Sequence, residues 1–323
     1  MMGRAIGELE LIQRIRAGVG ARKSAAVALG IGDDCAILRP PRGHEVLVTT
    51  DFSLEGRHFR RDWHPADAVG HRALARGLSD LAAMGAKPLA AFLSLALPGE
   101  MTASRAGRKW IDDFFAGLDN LAEEFGVPLA GGDTSEAPGG LVLADIVLVG
   151  SAPVGRALRR SGGRAGDRLY VTGSLGGSAA ELAKLAAGGR IKRAGEHPHL
   201  YPVPRVRVGV ELVRRRLATA AIDLSDGLST DLAHVCAESR VGAEVWEAAL
   251  PLAPGATLEQ ALHGGEDYEL LFAAPESVKM PGRVAGVPVT RVGRLLRGRG
   301  ISIVGADGKK RELEAKGWEH FRR

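Results

Sequence analysis

Six aspartate positions stand out because they lie beside glycines or at the ends of apolar runs. They are Asp33-Asp34 in GIGDDCAIL, Asp51 directly after EVLVTT, Asp80 in LSDLAAMG, Asp133 in AGGDTS, and Asp223 and Asp226 in IDLSDG. Carboxylates at strand ends can converge in space. Hard divalent cations require such oxygen ligands, and magnesium takes one or two carboxylates together with substrate phosphates. Carboxylates gathered in one place repel one another unless cations neutralise them. The chemistry expected of such a cluster is phosphoryl transfer, in which metal ions offset the charge of an in-line displacement.

Each position also has an ordinary reading. Asp33-Asp34 can form a plain Gly/Asp turn. Asp51 can cap a strand end, or join the oxygens of Thr49 and Thr50 in a metal site. Asp133 can make an Asx turn, although Gly131 and Gly132 would let backbone approach a phosphate. Asp226 can cap the helix that follows it, which leaves Asp223 at its strand end unexplained. Asp80 is the most telling. On a helical wheel from Val69, the residues Ala73, Leu74, Gly77, Leu81 and Met84 fall between roughly 40° and 140°, and Asp80 falls near 20°, inside that apolar arc. A carboxylate on a buried face must be hydrogen-bonded, paired or bound to a cation.

The familiar phosphate-binding sequences are missing. There is no GxxxxGK[ST], and no protein-kinase signature. The glycine-rich turn Thr172–Ser178 is a loose match to a dinucleotide fingerprint, and reads better as a close-packed turn than as a phosphate cradle.

The elements that must position these residues alternate. A first helix is expected over 5–17, a strand over 45–50 ending on Asp51, and a helix from Pro65 to Met84 stopped by Gly85. A strand follows over 89–97, and Thr102 would cap a helix through Phe125. Strands are expected over 127–130 and 141–149. A Pro/Gly/Arg-rich stretch over 151–167 suggests a boundary, giving domains 1–152 and 153–323. The second half restarts with strand 168–172 and a helix from Ser178. Helix 205–217, strand 220–224, helix 226–240 and strands 243–246 and 268–273 follow, with two short strands around Asp307-Gly308. Both halves are α/β or α+β.

The 323 residues, 45% of them hydrophobic and 25% charged, suit a globular protein of two cores. The excess of 43 Lys+Arg over 38 Asp+Glu is small, and 5% aromatics leave little for base stacking. A nucleic-acid role for the Arg-rich tail (Arg291–Arg299, Lys309–Arg311, Arg322-Arg323) is therefore a weaker reading than solvated charge. Two cysteines, Cys35 and Cys236, make no disulfide framework. With no apolar signal core and no run of about 20 apolar residues, the expectation is a cytoplasmic protein without membrane contact.

With the acidic motifs in place, the sequence resembles the thiamine-monophosphate kinase family almost end to end. The matching segments are GELELI, GIGDDCAIL, TTDFSLEGRHF, LSDLAAMGAKP, GGDTS, RSGGRAGD, YVTGSLGGSAA, IDLSDGLSTDL, GGEDYELLF and KGWEHF. The resemblance implies the fold of the aminoimidazole-ribonucleotide synthetase (PurM-like) superfamily, with two α/β (α+β) domains and N-terminal sheets that pair across a homodimer. It implies transfer from ATP to thiamine monophosphate, directly and with several Mg2+ ions. By motif, the metal ligands would be Asp34, Thr49, Thr50, Asp51, Asp80, Asp133, Asp223 and Asp226, with Asp51, Asp80, Asp133 and Asp223 at the chemistry. Gly132, Asp133, Arg160 and Ser225 would contact ATP, and His58, Glu266 and Trp318 the thiamine phosphate. Phe52 and Arg57 depart from the family pattern near the substrate. Selenophosphate and aminoimidazole-ribonucleotide synthetases share the superfamily and are the alternatives. The first would need a reactive cysteine ahead of the GIGDD motif, and the terminal KGWEHF favours the thiamine enzyme.

Overall fold

The computed structural model describes residues 6–18, 20, 24–189, 196–318 and 321. Ala5 of the expected first helix, Glu319-His320 of the terminal motif and Arg322-Arg323 lie outside the described residues. The chain divides into two compact units. One is Met1–Leu81 with Lys87–Gly155, and the other is Ala82–Ala86 with Arg156–Arg323.

The first unit runs α1 (Glu8–Ala17), β1 (Val27–Leu29), β2 (Ile37–Leu38), β3 (His44–Leu54), α2 (Ala66–Ala83), β4 (Lys87–Leu97), α3 (Gly99–Ala103), α4 (Arg105–Phe125), β5 (Leu129–Glu136) and β6 (Leu143–Pro153). Its main sheet has the order β3-β6-β4-β5, with β4 and β5 parallel and the other pairs antiparallel. Helices α2 and α4 meet backbone to backbone. A Cβ on Gly70 would collide with the Phe114 carbonyl, and one on Gly117 with that of Asp67. Only glycine permits so close an approach.

Three boundaries differ from the sequence reading, each for a local reason. Strand β3 does not stop at Asp51. Its alternation continues to Leu54 because all eleven residues pair with β6. AGGDTS is not a loop after a strand but the body of β5. Gly132 takes φ +150°, where a Cβ would strike the Leu93 backbone, so the strand can stay paired through the glycines. Helix α4 is capped by Ser104, whose hydroxyl accepts from the Gly107 N–H at 3.0 Å. Thr102 instead donates to the Gly99 carbonyl inside α3.

The second unit runs β7 (Arg168–Thr172), α5 (Gly177–Ala186), α6 (Val206–Arg214), β8 (Ala220–Asp223), α7 (Leu228–Ser239), β9 (Gly242–Trp246), α8 (Leu258–His263), β10 (Leu270–Ala274), β11 (Arg283–Val284), β12 (Val287–Leu296), β13 (Ile301–Val304) and β14 (Lys310–Glu312). Its sheet has the order β14-β13-β9-β12-β7-β10-β8, with β11 on β12. Leu169, Val171, Ile222, Leu232, Leu271 and Val292 are central in its core. Strand β12 escapes the sequence reading because Arg291, Gly293 and Arg294 break its apolar alternation, and a bulge there shifts its register against β7. The N-cap of α7 is Gly227, not Asp226.

Candidate active site

In the first unit the predicted residues form two groups. Asp33, Asp34, Gly132 and Asp133 line one cavity of about 820 Å3, closed on its apolar side by Ile12, Ile15, Phe92 and Phe115 among others. Asp33 makes the turn here, its Oδ1 accepting from the Asp34 N–H at 2.9 Å. Asp133 makes no Asx turn, because it lies inside β5; its Oδ1 accepts from the N–H of the next residue, Thr134, at 2.9 Å.

The second group lies on β3 and α2. The Thr49 hydroxyl donates to Asp80 Oδ2, so the buried-face carboxylate read from the helical wheel is met by a β3 oxygen. Asp51 follows two residues later on the same side of the strand. Burial, then the neighbouring Asp80 charge, push the Asp51 carboxyl up to about 7, against the pull of the Arg76 guanidinium. Arg76 Nη2 stands 3.7 Å from Asp51 Oδ1. Thr50 points to the opposite face and donates to Asp145 Oδ1 at 2.8 Å. Strand alternation thus separates two threonines that adjacency in sequence had grouped. His58 sits half-buried near this group, in a small hollow with Ser53, Arg72 and Arg76. Its Nδ1 accepts from the Leu54 N–H at 3.0 Å, which places the ring proton of the neutral form on Nε2.

The two groups are not one cluster within a single chain. Asp51 is on edge strand β3 and Asp133 on the opposite edge, β5. Three strand spacings put them about 14 Å apart. Among the described residues, no group of three or more His, Cys, Asp or Glu side chains is gathered closely enough to hold a metal ion.

In the second unit, backbone bonds collect the remaining residues around the start of α7. Asp223 ends β8 and is 3% exposed. The Glu266 N–H donates to the Ser225 carbonyl at 2.8 Å, and the Trp318 N–H to the Asp226 carbonyl at 3.0 Å. Gly317 fits there because a Cβ would meet that same Asp226 carbonyl. Trp318 is 51% exposed, so it is a presented ring and not core packing. Sequence reasoning missed Asp231, one helical turn into α7. Its Oδ2 accepts from the Asp226 and Gly227 N–H groups at 3.2 and 3.0 Å. Burial, then the charges of Asp223 and Asp226, push its carboxyl up to about 8. The signal was present as the third aspartate of IDLSDGLSTDL.

Arg160 is not brought to this group within the unit. Its carbonyl accepts from the Ser239 hydroxyl at 2.6 Å, at the far end of α7. Twelve helical residues put that end about 18 Å from Asp226. The glycine-rich turn before α5 holds no open phosphate cradle, because Asp267 Oδ2 and Oδ1 accept from the Gly176 and Ser178 N–H groups at 2.6 and 3.1 Å.

The donor set is all hard oxygen: carboxylates and a threonine hydroxyl, with two acids crowded at Asp51 and Asp80. That chemistry fits magnesium. Two α/β units with acidic, glycine-flanked segments but no nucleotide-binding loop of a known type define a member of the AIR-synthase-related class of proteins. Models of that class match here: AIR synthase related protein, N-terminal domain, over residues 32–152, and its C-terminal domain over 164–305. The chain is 40% identical over 335 residues to the thiamine-monophosphate kinase of Escherichia coli, covering 98% of this chain and 99% of that one. It is 35% identical to the Haemophilus influenzae enzyme, with 90% of each covered. Among solved structures, the thiamine-monophosphate kinase of Stenotrophomonas maltophilia superposes with a TM-score of 0.78 at 35% identity, covering 94% of this chain and 98% of that one. AaThiL complexed with AMPPCP and TMP gives 0.73 at 32%, covering 98% and 97%. The chain belongs to the thiamine-monophosphate kinase family and is an enzyme of the kinase class. The PurM-like fold inferred from its motifs is the fold observed.

Proposed function

We propose that this enzyme transfers the terminal phosphoryl group of ATP to thiamine monophosphate, giving thiamine diphosphate and ADP, by direct in-line displacement with several Mg2+ ions. The observation that carries the reading is the near-full-length likeness to kinases of that name, one of them solved with AMPPCP and TMP. The Asp51–Asp80 pair, crowded carboxylates beside the Thr49 hydroxyl, supports it. Asp34, Thr49, Asp51, Asp80, Asp133, Asp223 and Asp226 would hold the Mg2+ ions, which when bound supply positive charge along the phosphate oxygens; Thr50 is assigned to them by motif alone, since its hydroxyl faces Asp145 on the other side of β3. Asp51, Asp80, Asp133 and Asp223 are the acids assigned to the chemistry. Gly132, Ser225 and, by motif alone, Arg160 are assigned to ATP. His58, oriented by the Leu54 N–H on its Nδ1, is assigned to the phosphate of the acceptor. Glu266 and the exposed Trp318 ring suit the fixed positive charge of a thiazolium.

The working form we propose is a homodimer. Among the described residues strand β3 is an unpaired edge, and its outward residues Val46, Val48 and Phe52 are 50%, 65% and 57% exposed. A long apolar edge of this kind is a template for another strand, and a second copy of the chain offers the same edge. The proposal has no nucleic-acid partner. The tail cations Arg294, Lys310 and Arg311 pair with Glu244 and Glu247, and Arg291 lies over the Trp246 ring at 4.8 Å. Among the described residues no helix is long and apolar enough to cross a membrane.

The test is to incubate the purified protein with ATP, Mg2+ and thiamine monophosphate and separate the products by chromatography. Thiamine diphosphate that forms only with Mg2+ is the expected result. Its absence from folded protein would shift the reading to a sister enzyme of the superfamily.

A further inference from the structure

The loop that carries Glu266 is held in a conformation its own residues disfavour. Glu266 has φ +63° and Tyr268 φ +50°, both in the left-handed region that non-glycine residues enter only when the surroundings impose it. Between them, Asp267 sends its carboxylate into the first turn of α5, where it accepts from Gly176 and Ser178. These are N–H groups that a helix start leaves without partners. Beyond it, Glu269 accepts from Arg205 Nε and Nη2 at 2.7 and 2.5 Å and from the Thr172 hydroxyl at 2.6 Å. The loop is therefore pinned at Glu266 itself, whose N–H donates to the Ser225 carbonyl, and again at Asp267 and Glu269 just after it.

A second contact acts on the Glu266 side chain. His199 is 1% exposed, and its Nδ1 lies 3.0 Å from Ser178 Oγ and 3.6 Å from Glu266 Oε2. Ser178 thus meets Asp267 through its N–H and His199 through its hydroxyl. The start of α5 thus holds the loop backbone through Asp267 and the His199 ring through Ser178, and sets that ring beside the Glu266 carboxylate, although α5 itself carries no residue assigned to substrate.

We propose that Asp267 and His199 are positioning residues for the cationic acceptor substrate: Asp267 fixes the strained backbone at Glu266, and His199 aims its carboxylate. The inference rests on the reading of Glu266 as a thiamine-phosphate contact. A carboxylate fixed before binding loses little freedom when the cation arrives. Released from its clamp, it would bind that substrate more weakly while the ATP side of the reaction is unaffected.

The experiment is steady-state kinetics of Asp267→Asn, His199→Gln, Glu266→Gln and the double variants of each positioning residue with Glu266→Gln. The expected result is a rise of about tenfold in KM for thiamine monophosphate in each positioning variant, with kcat and KM for ATP within about threefold of the parent. Each double variant should be no worse than Glu266→Gln alone, because both residues act through that side chain. A merely structural role would lower the folded fraction and kcat, leave KM in place and add to the Glu266 loss. Should Asp267→Asn fail to fold, the His199 cycle decides alone, since it leaves the α5 amides bonded. Unchanged KM in the folded variants, or additive losses, would overturn the inference while the proposed reaction stands. A parent enzyme that makes no thiamine diphosphate would overturn both.

Discussion

Asp51 is held against its own charge. Its carboxyl is buried beside Asp80, and its proton is retained to about 7 as a result. Such a residue costs stability in the metal-free protein, which is a common price of a functional site. Asp51→Asn removes one charge of the crowded pair and one metal ligand. We expect turnover to fall by at least about 100-fold, while the melting temperature of the magnesium-free protein at pH 8 stays level or rises. A kinetic assay and a thermal melt on the same preparation check both halves, and a near-normal rate would remove Asp51 from the chemistry. Trp318 poses the opposite case. Its ring is half exposed, so Trp318→Ala should leave the melting temperature within about 1 °C. It should raise KM for thiamine monophosphate roughly tenfold, the value of a cation–π contact of about 1–2 kcal/mol.

At the scale of elements, β3 carries two jobs on its two faces. Thr49 and Asp51 point toward α2, and Val46, Val48, Thr50 and Phe52 toward the open side. Val48→Glu places a charge on the open side without touching the Asp51 group. Size-exclusion chromatography with light scattering should find a monomer where the parent is a dimer, and a dimer of unchanged affinity would refute the edge-pairing proposal. In β5, Gly132 has φ +150° against the Leu93 backbone. Gly132→Ala must displace β5 from β4, and a destabilisation of about 2–3 kcal/mol or more is expected in denaturant melts.

At the scale of the whole molecule, burial raises carboxyls that include Asp51 and Asp267, to about 7, and Asp231, to about 8. A carboxyl raised in the fold binds its proton more tightly there than in the unfolded chain. Its protonated form favours the native state, and stability is lost as pH rises from about 4 through the raised value. The exposed pairs Arg60–Asp62 and Arg214–Glu211 act in the opposite direction, but solvent screens them. The metal-free protein should therefore melt at lower temperature at pH 8 than at pH 5. Mg2+ should raise the melting temperature little at pH 5 and markedly at pH 8, where the carboxylates are ionised. A magnesium increment independent of pH would contradict this account.

Much of this protein is written locally. The apolar arc of α2 and the short apolar strand that leads into Asp51 are short-range patterns, and they place Asp80, Asp51 and Thr49 near where the structure has them. The run of acidic motifs also fixes the family. What local pattern does not contain is pairing across the chain. That Asp51 and Asp133 occupy opposite edges of one sheet follows from the order β3-β6-β4-β5, a product of long-range strand registration. That Thr49 and Thr50 serve different faces follows from β3 continuing past Asp51 along β6. That Asp267 fills the start of α5 joins residues some ninety positions apart. The sequence by itself determined which oxygens this chain has to offer, because residue type and short spacing set local conformation and chemistry. The tertiary structure alone decided which of them meet, because that depends on register, burial and the close approach of backbones that no local window contains.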